Sequence, residues 1–273
     1  MVIIKSRQNP LIRDVRALRN NKTRRTKGQF LVEGVRLLEE AVLSGCIIDT
    51  VLYCQDVAYD SRSLALLQDL ECQGVPMVAT TSYVLASVSE TDSPSGLVAV
   101  VQFPSLPTVD AIVKATDLIV LGDQIQDPGN VGTIIRTAEA AGAGGVFLTT
   151  GSAYRYGDKV IRASMGSLFR LPVKAVADSG RDLYDRCLSG GWQPVFTVPE
   201  GGVPLWEVDF TKPTLLVFGN EGAGISPELI AKNKGRKLSI PLTSPVESLN
   251  VAIAAAVVLF EIVRQRSISH SCK

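Results

Sequence analysis

Short apolar runs alternate with amphipathic stretches along the whole chain. Over residues 4–20 Leu11, Val15 and Leu18 recur at helical spacing, so a basic helix is expected there, followed by a basic loop over 20–28. Phe30-Leu31-Val32 then reads as a strand. Residues 34–44 read as a helix with Val35, Leu38 and Val42 on one face, ended by Gly45. Strands are expected at 47–53, 77–79 and 96–101, with a helix at 61–73. This alternation predicts a small three-layer α/β domain over residues 1–103. Phe103-Pro104-Ser105-Leu106-Pro107-Thr108 cannot continue either element, which makes 104–109 a linker.

The pattern restarts over 110–273. Continuous apolar runs at 118–121, 145–148, 192–196 and 214–218, and a further strand at 237–240, are separated by helical stretches, among them 131–141 and 249–266. Runs without polar alternation belong to strands covered on both faces, hence to a mostly parallel sheet. The last helix is apolar on every side over 251–260, so it must be buried all round. In one small domain that is easiest against a second copy of the chain, and a homodimer is expected.

Composition excludes several classes. The chain has 273 residues, 46% of them hydrophobic, enough for two cored domains. No apolar run reaches the roughly 18 residues that span a bilayer, and Met1-Val2-Ile3-Ile4-Lys5-Ser6-Arg7 lacks a signal-peptide pattern. A cytosolic location with no membrane partner is expected, an organellar mature form being the alternative. Cys46, Cys54, Cys72, Cys187 and Cys272 lie far apart without metal-site spacing, as reduced structural thiols do. His270 is the single histidine, which removes most His-based catalytic and metal sites; no metal is expected. The chemistry is left to Arg, Glu, Ser, Asn and backbone groups.

Net charge is only +1, but its distribution is uneven. Residues 1–36 hold ten Lys/Arg against Asp14 and Glu33, a plausible phosphate-contacting surface. Arg7, Arg13, Arg24, Arg25 and Lys27 are its candidate RNA contacts. Arg162, with Tyr156 and Arg170 nearby in sequence, is a further candidate through charge and stacking.

Three segments carry the candidate chemistry. Asn130-Val131-Gly132-Thr133-Ile134-Ile135-Arg136-Thr137 opens a helix, with Pro128-Gly129 ahead of it and Asn130 suited to its N-cap. Arg136 follows nearly two turns later among apolar neighbours. Leu216-Val217-Phe218-Gly219-Asn220-Glu221-Gly222-Ala223-Gly224-Ile225-Ser226 takes a buried strand into a glycine-rich loop able to close around a small molecule. It matches neither a dinucleotide fingerprint nor a P-loop. Ile240-Pro241-Leu242 and Glu247-Ser248-Leu249-Asn250-Val251 lead into the last helix, where Ser248 and Asn250 can cap free N–H groups.

In this order the three segments resemble the motifs of the SpoU (TrmH-type) RNA ribose methyltransferases, over about residues 117–266. The resemblance implies a SPOUT-type parallel sheet with a C-terminal trefoil knot, which topology rules alone would never suggest. It also implies a small ribosomal-protein-like α/β domain ahead of that sheet. S-adenosylmethionine is then the cofactor, held by Gly219, Ile240, Leu242 and Leu249, with Thr197 as a weaker contact. Arg136, Asn130, Glu221, Ser248 and Asn250 are the implied catalytic set, RNA the substrate and a homodimer the assembly. Ribosomal RNA is favoured over transfer RNA because of the extra N-terminal domain. A transfer-RNA ribose methyltransferase, a base methyltransferase on the same scaffold and a non-catalytic RNA-binding or ribosome-assembly protein remain open alternatives.

Overall fold

The computed structural model describes residues 3–54, 59–91, 95–177, 180–231, 235–243 and 246–271, so Cys272 lies outside the described residues. The chain forms two compact units. The first comprises residues 1–105 together with 156–169, and the second holds 106–155 and 170–273.

The first unit opens with α1 (Pro10–Ala17) and α2 (Asn21–Lys27). Asn9 and Asn20 cap them by accepting from Leu11 N and Lys22 N. The expected helix over 4–20 therefore begins only at Pro10, and the expected basic loop is itself helical. Gly28, at φ 65°, stops α2 in the left-handed conformation that suits glycine. Then follow β1 (Gln29–Glu33), α3 (Val35–Leu43), β2 (Ile48–Cys54), α4 (Ser61–Cys72), β3 (Met77–Thr80), α5 (Ser82–Val88) and β4 (Leu97–Gln102). The sheet order is β1-β4-β2-β3, with β4 antiparallel to both neighbours and β2 parallel to β3. Ile12, Val15 and Leu18 of the first helical turns pack with Leu31, Leu52, Val84, Leu85, Val88 and Val98 in its core.

Arg24 ties this unit together from inside. Its side chain is 1% exposed. Nε donates to Leu18 O at 2.5 Å, Nη1 to Tyr156 O at 2.6 Å, and Nη2 pairs with Glu90. Burial pushes the Glu90 carboxyl up to about 7, against the pull of Arg24. Tyr156 stacks on Phe103 and Phe30 at centroid distances of 4.1 and 5.2 Å, with Phe169 completing the aromatic group. Aromatic pairs of this kind stabilise by about 0.5–1.5 kcal/mol each beyond their buried area. Two expectations are corrected here. Arg24 and Tyr156 are core residues, both about fully buried, and neither presents its polar group or ring to an RNA.

The second unit contains α6 (Val109–Ala115), β5 (Leu118–Gly122), α7 (Pro128–Ala140), β6 (Gly145–Thr149), and β7 (Val173–Val176). Between the last two the chain runs through α8 (Asp158–Ser164) and α9 (Ser167–Arg170), most of which belongs to the first unit. It continues through α10 (Arg181–Ser189), β8 (Gln193–Thr197), β9 (Val203–Pro204), β10 (Thr214–Phe218), α11 (Pro227–Ala231), β11 (Arg236–Ser239) and α12 (Val251–Ser271). All seven strands pair in parallel in the order β7-β6-β5-β10-β8-β11-β9. Every residue of β5, β6 and β10 is buried, as their unbroken apolar runs require.

The strand order places the site. From β5 the chain steps outward through β6 to β7, then crosses to β8 on the other side, and β10 later fills the gap beside β5. Phe218 ends opposite Gly122, so the loops after β5 and β10 emerge side by side at a point where the direction of winding reverses. Open parallel sheets form their ligand crevices at such points, beyond the carboxyl ends of the strands. Among the described residues, no helix is long and apolar enough to cross a membrane.

Candidate active site

Asp127, not Asn130, caps α7. Its Oδ1 accepts from Asn130 N at 2.8 Å, and Pro128 occupies the first helical turn where a missing N–H costs nothing. The expected capping role of Asn130 is thereby corrected, and its side chain is released for another task. Asn130 Nδ2 donates to Glu221 Oε1 at 2.9 Å, while Asn130 Oδ1 accepts from Asn250 Nδ2 at 3.0 Å. Asn250 Oδ1 in turn accepts from Ala252 N at 2.9 Å and Ile253 N at 3.3 Å, capping α12. One amide thus laces the start of α7, the loop after β10 and the start of α12.

The Glu221 carboxylate also accepts from Gln126 N at 3.2 Å and Asp127 N at 3.3 Å. Partial burial would raise its pKa, but the bonds from Asn130 and these backbone N–H groups outweigh that and hold it below the ordinary value of 4.5. Glu221 is therefore an anion at neutral pH, with most of its acceptor sites committed to structure.

The loop behind it is wound tightly. Asn220 Oδ1 accepts from Gly222 N and Ala223 N, each at 2.9 Å, and Asn220 Nδ2 donates to Gln124 O at 2.8 Å. Asn220 and Gly224 exchange two backbone bonds of 2.9 and 3.0 Å. Gly219 has no room for a side chain: a Cβ there would stand 2.3 Å from Gly224 C and Ile225 N. Glycine is needed at this position for close approach of two backbones.

A cavity of about 480 Å³ opens beside this loop. All five residues expected to hold a cofactor line it: Thr197, Gly219, Ile240, Leu242 and Leu249. Glu221, Ser248 and Asn250 line it as well. Its size falls within the range of small-molecule sites, and mixed apolar walls and backbone groups suit a nucleoside-type ligand. Thr197 contributes wall more than polarity, because its hydroxyl already donates to Val217 O at 2.9 Å.

Arg136 stands apart from this group. It is exposed on α7, about 9 Å further along the helix axis than Asn130 at the standard rise, and does not line the cavity. Ile134, Ile135 and Ala138 are buried around it, so α7 hides its apolar side and offers Arg136 to solvent. The guanidinium makes no hydrogen bond or ion pair among the described residues. Of the basic residues expected to meet RNA, Arg13 and Arg25 are exposed, as is Lys27, whose Nζ lies 3.6 Å from Asp14. Arg162 is half-buried and pairs with Asp158 at 2.9 Å, and Arg7 lies over the Tyr83 ring.

Sequence reasoning missed two supports of the site. Asp123, fully buried, accepts from Thr149 Oγ1 at 2.9 Å and Ser226 N at 2.7 Å, bracing the far end of the glycine loop. Gln124 holds a left-handed backbone, φ 56°, that aims its carbonyl at Asn220. No residue type marks Gln124 in advance; Asp127 directly before Pro128 was the legible signal of the true cap.

Sheet, cavity and laced loops together define a parallel α/β domain that binds a nucleoside-sized organic cofactor beyond the carboxyl ends of its strands. The model of the SpoU rRNA methylase family matches residues 117–260, and that of the MRM3-like substrate binding domain matches residues 9–99. The 23S rRNA (guanosine(2553)-2′-O)-methyltransferase RlmP of Bacillus subtilis is 33% identical over 95% of this chain and 98% of its own. The 23S rRNA (uridine(2479)-2′-O)-methyltransferase of Streptomyces viridochromogenes is 36% identical, over 95% and 91%. The crystal structure of the SpoU methyltransferase AviRb from Streptomyces viridochromogenes, in complex with AdoMet, superposes with a TM-score of 0.84 at 35% identity, covering 95% of this chain and 99% of that one. The chain belongs to the SpoU rRNA methylase family.

Proposed function

We propose that the protein transfers a methyl group from S-adenosylmethionine to a ribose 2′-hydroxyl of ribosomal RNA. The observation that carries the reading is the Asn130–Glu221–Asn250 lacing at the rim of a cavity whose floor tolerates only glycine at position 219. Relatives along almost the whole length are named as 23S rRNA 2′-O-methyltransferases, and a similar structure holds the same cofactor. The substrate-binding domain match over residues 9–99 favours ribosomal over transfer RNA.

S-adenosylmethionine, when bound, supplies an electrophilic methyl group. Gly219, Ile240, Leu242 and Leu249 hold it, and the chain's remaining task is to present the hydroxyl in line and to provide a route for its proton. Glu221 is a weak base for this proton, because the bonds from Asn130 and two backbone N–H groups hold its pKa below the ordinary carboxylate value. Arg136 is a poor base, its guanidinium having a pKa above about 12. It lies outside the cavity in the single chain and acts instead from its exposed place on α7, holding a phosphate that neighbours the hydroxyl, and that phosphate accepts the proton. Ser248 and Asn250, on the cavity wall, orient the ribose.

The same reading includes a trefoil knot, a ribosomal-protein-like first unit, a homodimer and a cytoplasmic location. The knot is supported by the reach of Asn250 back to Asn130 and by the seat of β11 between β8 and β9. The dimer is supported by α12, which is not buried all round in the single chain. Ala252, Ala255, Leu259 and Ile262 are buried, whereas Ile253, Val257 and Phe260 are 53%, 40% and 51% exposed along one stripe.

The test is methyl transfer from radiolabelled S-adenosylmethionine to ribosomal RNA and, separately, to transfer RNA, with Arg136→Ala as control. Label in ribosomal RNA that protects one linkage from alkali and vanishes in the variant is expected. Label in a base, or in transfer RNA alone, would favour an alternative substrate. A chain that binds RNA but no S-adenosylmethionine would be a binding protein.

A further inference from the structure

Residues ahead of α1 are held along the edge of the first unit's sheet. Ile4 N donates to Ala79 O at 2.9 Å and Thr81 N donates to Ile4 O at 3.3 Å, which makes a parallel bridge between Ile4 and Thr80. Three residues on, this pinned segment delivers Arg7 onto α5. Arg7 Nε donates to Tyr83 O at 3.2 Å, and Cζ stands 3.6 Å from the centre of the Tyr83 ring. Tyr83 is 61% exposed, although Val84, Leu85 and Val88 of the same helix are buried. Fixed at both ends, the pair is a flat, cationic, preorganised surface.

Its surroundings are mostly cationic, with the exposed Asp14 of α1 as the exception. Lys5, Arg13 and Arg19 are exposed and Arg16 half-buried. The last three sit on or just after α1, which shares a core with α5 through Ile12, Val15, Val84 and Leu85. Duplex RNA presents phosphates but hides the faces of its bases, whereas an unpaired base can be splayed onto an aromatic ring or a guanidinium plane. A duplex-binding surface needs the charges alone. An exposed ring with a guanidinium locked over it adds what only a free base can use.

We propose that Arg7 and Tyr83 form a stacking platform for an unpaired base of the RNA substrate, so that the first unit selects a loop, bulge or junction over continuous duplex. This rests on the RNA methyltransferase reading and narrows it: the target nucleotide lies near single-stranded RNA, with Lys5, Arg13 and Arg19 taking flanking phosphates.

The test uses the full chain with a fluorescein-labelled single-stranded oligoadenylate and an RNA duplex of matched length, followed by anisotropy. Tyr83→Ala is expected to weaken single-strand binding about tenfold, the usual scale for losing one stacked base, and to leave duplex binding unchanged. Tyr83→Phe, which keeps the ring, should bind like the native protein, and Tyr83→Leu, which keeps apolar bulk, like the alanine variant. In methylation assays the alanine variant should show a raised KM for RNA with unchanged kcat. Single-strand binding that ignores Tyr83, or a loss equal for both probes, overturns the platform. The two readings fail separately. Native protein that binds the oligoadenylate through Tyr83 yet methylates no RNA refutes the enzymatic reading, whereas methylation with Tyr83-independent binding refutes the platform.

Discussion

Asn130 and Glu221, 91 residues apart in sequence, meet in one amide-to-carboxylate hydrogen bond of 2.9 Å that orders the site. The bond fixes which way the amide points, since Asn130 Oδ1 accepts from Asn250. Asn130→Asp would set a second carboxylate against Glu221 and leave its acceptor without a donor. Loss of about 1–3 kcal/mol in loop stability follows, or roughly 10- to 100-fold in S-adenosylmethionine affinity measured calorimetrically. Native affinity in this variant would show that the lacing is dispensable.

Glu221 also sets an acid-side dependence. Its folded pKa lies below the ordinary 4.5, so its stabilising contribution is fully present above that value and lost as pH falls through the folded one. The gap in melting temperature between the native protein and Glu221→Gln should therefore be wide at pH 7 and shrink toward pH 3. An equal gap at both pH values contradicts the assignment.

Gly219→Ala tests the cavity floor. The added Cβ would lie 2.3 Å from two backbone atoms, neither of which can rotate away. Strain of about 1–3 kcal/mol is expected, opening the loop and abolishing cofactor binding while the remaining fold survives. The checks are circular dichroism beside a binding titration, and cofactor binding within a few-fold of native would disprove the tight floor.

Phe260→Glu places a charge in the exposed stripe of α12. Light scattering should find the native protein dimeric and this variant monomeric, with unchanged helical content. A native protein that elutes as a monomer at high concentration removes the dimer from the proposal.

Arg24→Met removes the centre of the first unit's internal network and strands Glu90, Leu18 O and Tyr156 O. Breaking a buried pair in this way costs about 3–5 kcal/mol. Thermal unfolding should shift down accordingly, while a change under about 0.5 kcal/mol would fit only a surface residue.

The central strands were readable from the chain because burial on both faces demands unbroken apolar runs, as in Leu118-Ile119-Val120-Leu121, whereas the edge strands β7 and β9, only partly buried, were not. The site motifs were readable because glycine and asparagine cluster where loops must turn hard. What escaped was decided by tertiary partners. Asn21–Lys27 carries no apolar stripe, and Arg24, buried under Tyr156, anchors it as a helix instead of a loop. α10 has only Leu183, Tyr184 and Cys187 facing the core, too few to announce a period. Arg136 looked like a charge embedded among apolar neighbours, but the helix turns those neighbours inward and the arginine out.

The chain passes between its two units after Ser105, after Arg155 and after Phe169. A gene recombined at a single crossover near residue 105 would therefore inherit half of an aromatic stack, since Tyr156 and Phe169 are encoded downstream of Phe30 and Phe103. Exchange of the first unit between relatives requires the block 156–169 to travel with it. Chimeras built with that block should fold, and those built without it should precipitate, which makes the unit portable only as two separate blocks of sequence moved together.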